Sequence, residues 1–237
     1  MAKRAVLREK RRQQQNRQRL TIVVVIIVAA LVVSGLLILP NYLPVGEVVS
    51  ITPQPHPDAQ GTAIGDPNAP VRIDVFEDFQ CPACRAFTEN FEPLIVSNDV
   101  SAGRVYYVFR HWPFIGPESL QAANASMCAN AQGRFWDYHD MLFQNQTGEN
   151  VGAYSDRRLV AFAEDLGLNL SDFNACFRSN EYQAEIQSDY SEGTQIGVSG
   201  TPAVFVNGVQ LAPGFIPSYD QIVEAINSAI GVTPAAP

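Results

Sequence analysis

Two cysteines three positions apart, Cys81-Pro82-Ala83-Cys84, are the residues of this 237-residue chain with the plainest chemical potential. That spacing serves a dithiol/disulfide redox pair, half of a metal site, or a structural staple. Two further cysteines, Cys128 and Cys176, have no close neighbour of their own kind. Structural zinc usually draws on two closely spaced ligand pairs, and only one pair here is close, so a four-cysteine zinc site fits poorly. Four cysteines allow three pairings. Neighbours at C-x-x-C spacing bond readily only where the backbone turns sharply, as at a helix N-terminus. If Cys81 pairs with Cys84, Cys128 and Cys176 are left for a second, structural bond.

The residues around Cys81 supply such a turn. Val71-Arg72-Ile73-Asp74-Val75-Phe76 alternates and is rich in β-branched residues, which predicts a strand. CPACRAFTENFEPLIVS then reads as a helix, with Cys81 near the cap and Pro82 at the first helical position, where a missing N–H costs nothing. A sulfur there faces unpaired amides and the positive end of the helix dipole, which favours thiolate over the free thiol's pKa of ~8.5. Far along the chain, Gly197-Val198-Ser199-Gly200-Thr201-Pro202 leads into Ala203-Val204-Phe205-Val206 and an Asn207-Gly208 turn. A proline opening a strand marks an edge or a special backbone position, and Thr201–Pro202 is a candidate cis bond.

Cys128 lies among apolar positions that step by three or four, Leu120, Ala123, Met127, Ala131, Phe135, Tyr138 and Leu142, as on one face of a long helix. Cys176 lies in LSDFNACF, read as a short helix capped by Ser171 or Asp172.

Charge divides the chain. The first 20 residues carry eight Lys/Arg against Glu9, a net of +7; beyond residue 40 there are eight arginines, no lysine and 23 acids, a net of −15 within the overall −8. Between them, residues 20–39 hold no charge, and twenty helical residues cover about 30 Å, a bilayer core. A cleaved signal peptide would have an apolar region of about 7–15 residues and an A-x-A-like site, and neither is evident. We therefore expect a basic cytoplasmic segment over 1–19, a transmembrane anchor over 20–39, a Pro-rich stalk over 40–60, and one extracytoplasmic domain over 61–237. So acidic a domain is unsuited to binding nucleic acid or anionic lipid headgroups. All four cysteines fall on the exported side, where disulfides persist.

From about Asp66 to Ile230 the chain resembles the thioredoxin-fold thiol–disulfide oxidoreductases of the DsbA-like type, in particular the membrane-anchored BdbD-like group. FEDFQCPAC, FRHWPF, ANASMCANAQGRFWDYHDMLF, DFNACF and GVSGTPAVFVNG carry the resemblance. It implies an α/β thioredoxin-like fold with a helical insertion, placed here at about 116–196. It also implies a nucleophilic Cys81, a resolving Cys84, and a cis-proline loop at Thr201 and Pro202 beside them. As partners it implies reduced exported client proteins and a quinone-linked membrane reoxidase, DsbB-like or vitamin K epoxide reductase-like; it calls for no cofactor and no metal. Ala83 stands where many DsbA proteins have histidine. Val75 stands where thioredoxin and DsbA place a buried acid, six residues before the first cysteine, and the nearest acids are Asp74, Glu77 and Asp78.

Among other candidates, Asp78 is read as a cap of the active-site helix or a proton relay. His111 and His139 are read as packing residues, His56 as a solvated linker residue, and Phe135, Trp136, Phe143 and Phe162 as core. No GxSxG, Walker loop or HExxH occurs. Within the redox class, an isomerase or reductase is the alternative, though isomerases of this fold generally need a dimerisation domain that a 20-residue stalk cannot supply. A Cu(I)-handling module would want a histidine or methionine beside CPAC.

Overall fold

The computed structural model describes residues 2–38 and 45–231, with side chains for 17–36 and from 45 onward. Leu39, residues 40–44 of the expected stalk and residues 232–237 lie outside the described residues. The chain divides into two units, Met1–Val45 and Gly46–Pro237. In the first, α1 (Ala2–Ile38) runs through the basic segment into the apolar one. Its stretch Arg17–Leu36, 20 residues, is long and apolar enough to cross a membrane, and its valines, isoleucines and leucines are all exposed.

In the second unit, β1 (Ala63–Ile64), β2 (Val71–Glu77), β3 (Val105–His111), β4 (Ala203–Val206) and β5 (Val209–Gln210) form one sheet in the order β1-β3-β2-β4-β5. β2 and β3 run parallel, joined by α2 (Pro82–Asn90), α3 (Glu92–Ile95) and a π-helical turn (Val96–Val100). β4 runs antiparallel to β2 and turns into β5 at Asn207 and Gly208, both at positive φ, as a two-residue hairpin of the Asn-Gly kind requires. The strand that Pro202 opens is therefore interior, and β5 takes the edge. Between β3 and β4 the chain inserts five helices: α4 (Pro117–Asn130), α5 (Phe135–Gln144), α6 (Asp156–Asp165), α7 (Leu170–Ser179) and α8 (Gln183–Gln195). α9 (Tyr219–Ala229) follows β5 and opens with a capping box between Ser218 and Gln221.

One core runs from the sheet through α2 into α4–α7 and buries Phe79, Phe87, Phe109, Phe135, Tyr138, Phe143, Phe162 and Phe173 almost completely. A smaller cluster on the other side of the sheet joins Phe76, Trp112, Val198, Ala203 and Phe205. Gly193 of α8 touches it; a Cβ there would stand 2.9 Å from the rings of both Phe76 and Trp112. Cys128 of α4 and Cys176 of α7, both buried, are disulfide-bonded across 48 residues. Closing a loop of that length contributes about 4 kcal/mol on the chain-entropy estimate.

Four local expectations need correction. The single long helix through Cys128 is two, because the chain turns at Gly133 (φ +69°) before Phe135, so Leu120 and Ala131 leave the core face. The α7 cap is Asn169, whose side chain accepts from the amides of Ser171 and Asp172, two positions ahead of the expected cap. The described part of the stalk is not free. Val49 exchanges hydrogen bonds with the Asn145 side chain, the guanidinium of Arg158 donates to the Glu47 carbonyl, and Val48 and Ile51 pack on the core. His56, expected to be solvated, is half-buried and stacks on Trp136 at 5.1 Å.

Candidate active site

β2 ends at Glu77, a four-residue loop follows, and α2 begins at Pro82 with Cys81 as its N-cap in extended conformation (φ −74°, ψ 119°). The β4 register sets Ala203 opposite Phe76 and so brings the preceding Thr201–Pro202 peptide, which is cis, against that loop. The Cys81 thiol donates to the Thr201 carbonyl at 3.4 Å, and the Thr201 side chain lies beside it. Sequence-distant Cys81, Cys84, Thr201 and Pro202 thus meet in one place, whereas Cys128 and Cys176 bond to each other within the helical insertion.

The two thiols are free and inequivalent. Cys81 keeps 7 % of its surface and Cys84 none. The Cys84 thiol donates to Cys81 and, against the opposing effect of burial, brings the Cys81 pKa down to about 6, helped by Thr201 and by the backbone amides of Cys84 and Ala83. Burial pushes Cys84 well above the ordinary thiol range, and its bond to Cys81 and the nearby Glu77 charge push it further. No imidazole between the cysteines is needed, since the helix amides and the partner thiol do that work.

A buried acid is present after all, but not at Val75. Ile73, Val75 and Glu77 share one face of β2, and Glu77 carries that face to the strand end beneath Cys84. Its two carboxyl oxygens are buried without a hydrogen-bond partner. Burial raises its pKa well above the usual carboxylate range, the neighbouring Glu92 adds to this, and the Cys84 thiol opposes it. The period-two pattern extended by one step would have found Glu77, and only tertiary structure reveals Glu92, buried on α3, whose carboxyl is raised to about 7 by burial.

Asp78 does not cap α2. One of its oxygens accepts from the Gln80 amide at 2.8 Å and the other from the amides of Phe114 and Ile115 at 2.9 and 3.0 Å. It ties the active-site loop to the loop after β3, and with both oxygens occupied it is ill placed to relay a proton. The helical insertion grips the same loop. Gln146 donates to the carbonyls of Phe79 and Cys81 at 2.7 and 3.1 Å, and the Tyr154 hydroxyl donates to Phe79 O at 2.9 Å. Nothing in the sequence pattern marks either residue. His111 is buried at the end of β3, with burial driving its pKa down to about 3, so it stays neutral.

The family model described as thioredoxin matches residues 58–228. The chain belongs to this thioredoxin family. A probable disulfide bond formation protein D of Bacillus anthracis is 27 % identical over 172 residues, 71 % of this chain and 77 % of the relative. Oxidised BdbD of Bacillus subtilis superposes with a TM-score of 0.67 at 23 % identity, over 74 % of this chain and 96 % of that one. The α-DsbA1 of Wolbachia pipientis follows with a TM-score of 0.63 at 24 % identity, over 72 % and 90 %. The likeness to the two solved structures carries the fold. Together with the relative it sets the chain among the DsbA-like, BdbD-type members of the family.

Proposed function

We propose that the chain is a membrane-anchored thiol:disulfide oxidoreductase that forms disulfides in exported proteins. The observation that carries this is the pairing of a Cys81 at a helix N-terminus, in contact with Thr201 of the cis-proline loop, with a fully sealed Cys84. In the oxidised protein a client thiolate attacks Cys81 Sγ; the client sulfur is oxidised, Cys84 leaves with the electron pair, and a mixed disulfide remains. A second client thiolate then attacks the client's own sulfur and expels Cys81. Cys81 is the better leaving group, because a low-pKa thiol leaves faster. The Thr201 backbone borders the sulfur where an extended client segment would pair. The basic first half of α1 favours a cytoplasmic N-terminus and an extracytoplasmic catalytic domain. A quinone-linked membrane protein then restores the Cys81–Cys84 disulfide.

Full-length oxidised protein in detergent, mixed with a reduced dithiol peptide and no glutathione, is expected to leave one peptide disulfide per chain, and none with Cys81→Ser. If the peptide stays reduced while a disulfide-scrambled protein regains activity, the chain is an isomerase instead.

A further inference from the structure

Cys84 leaves the active-site disulfide as a thiolate and must gain a proton, yet neither it nor Glu77 touches water, with 0 % and 1 % of their surfaces exposed. A client seated on Cys81 covers the near side. On the far side a line of titratable groups leads outward. The ligand-type atoms of Glu77, Glu92 and His139 lie within 4.8 Å of one another. His139 Nε2 is 3.8 Å from Glu92 Oε2, His139 Nδ1 is 3.0 Å from Asp140 Oδ1, and Asp140 Oδ2 is 3.8 Å from His56 Nε2. The wider gaps are within reach of one bridging water. Both Glu77 oxygens, His139 Nε2 and Asp140 Oδ2 are buried without a hydrogen-bond partner, so the atoms facing the next group along this line are uncommitted. At its end His56 and Asp140 line an open surface groove together with Thr88 and Glu89.

We propose that Glu77, Glu92, His139, Asp140 and His56 form a proton path between Cys84 and the surface groove at His56. This deepens the oxidoreductase reading and rests on it for its purpose. In the forward direction Glu77 gives its proton to the Cys84 thiolate. Glu77 is then reprotonated through Glu92, His139, Asp140 and His56 from solvent, so one proton enters by this path per disulfide opened and balances the one the attacking thiol releases on ionising. Reoxidation runs the path in reverse.

The surroundings of each member suit this. Glu92 accepts from the Tyr107 hydroxyl at 3.0 Å, and that hydroxyl stays protonated because burial raises it well above the ordinary range. Burial alone would lower His139, but the Glu92 charge and the Asp140 contacts raise it. Glu92 and His139 are thus two titratable groups side by side, each raised from its ordinary value. His111, the other charge-bearing group acting on His139, is held neutral and takes no part. His56 is lowered by burial, with Asp140 and Asp137 pulling it up and His139 down. Cys81 and Cys84 are the remaining groups acting on Glu77. The His56 stack on Trp136 gives a juxtamembrane segment that otherwise only packs a catalytic duty as the outer gate.

The test is single-turnover reduction of the Cys81–Cys84 disulfide by dithiothreitol, which also puts a proton on Cys84 but needs no client. The thiols of the full chain are trapped at successive times, and EDTA keeps metal off the His56–Glu92–Asp140 cluster. In His56→Gly, reduction is expected to slow about tenfold, a modest share of what a positioned acid–base group contributes. Added imidazole should restore it. Pyrazole, a ring of the same size that is hardly basic, should not. His139→Gln should lose as much and gain nothing from imidazole. If His56→Gly unfolds more readily than the parent, His56→Gln keeps the ring-sized packing and should show the same loss. Wild-type rates of reduction in these variants, or rescue by pyrazole as good as by imidazole, overturns the path. Failure of the protein to oxidise a dithiol peptide would instead count against the oxidase reading and leave these rates to be judged alone.

Discussion

Reduced full-length protein exposed to iodoacetamide is expected to be alkylated at Cys81 and nowhere else, with a rate that rises through a midpoint near pH 6. With its pKa at about 6, Cys81 is roughly nine-tenths thiolate at pH 7, against a few per cent for a free thiol. Intrinsic nucleophilicity falls as the pKa falls, so the absolute rate exceeds that of a free thiol only modestly. The contrast with Cys84 is much larger. Cys84 has no exposed surface and its pKa is raised, so both accessibility and thiolate fraction work against it, and selectivity of about a hundredfold or more follows. Thiolate absorbance titrated against pH and mass mapping of the labelled peptide check the two halves separately. Labelling of Cys84 first, or a midpoint near 8.5, would mean that the helix N-terminus and Thr201 do not act on Cys81 as the geometry requires.

A second large effect concerns stability. Glu77 has a folded pKa well above its unfolded one, so its contribution is fully present below about pH 4.5 and is lost as pH rises toward the folded value. Over that window the unfolded chain releases a proton that the folded chain retains, and stability falls by about 1.4 kcal/mol per pH unit for each such group. Glu92, raised to about 7, adds the same slope up to neutrality. Replacing Glu77 with glutamine removes one of the two slopes. As pH rises above about 5 the reduced Glu77→Gln protein should therefore gain on the parent, by at most about 1.4 kcal/mol per pH unit, with little difference at pH 4. Urea unfolding of both proteins across pH 4–8 measures this. Parallel curves would show that Glu77 is ionised and solvated in the folded state, and the proton path would lose its inner end.

How much of this was legible in the sequence follows from how local each feature is. Cys81, Pro82 and the strand before them are set by neighbours a few residues away, so alternation and helix-start chemistry place them correctly. The GTPAVFVNG segment is equally readable, because a proline, a β-branched run and an Asn-Gly turn each fix backbone geometry on their own. Glu77, Glu92, Gln146 and Tyr154 owe their positions to packing between elements 15 to 75 residues apart, and a glutamate in a sequence looks the same whether it is solvated or sealed. Asp78 was misassigned because a loop acid three residues ahead of a helix resembles a cap, whereas the amides of Phe114 and Ile115 claim it in three dimensions. Residues 46–60 look like linker by composition, and it is the Asn145 side chain and the Trp136 ring that bring them onto the domain.

The central claim is that this pair is poised to give its disulfide away. Its most direct test is the equilibrium of the Cys81–Cys84 disulfide with glutathione, followed in the full chain by trapping the thiols at each buffer ratio. Thiolate stabilisation at Cys81 favours the reduced form and makes the disulfide more oxidising. A Cys81 pKa of about 6 predicts a reduction potential clearly above the −270 mV of a reductant and on the side of a disulfide donor near −120 mV, and a value near −270 mV would contradict it.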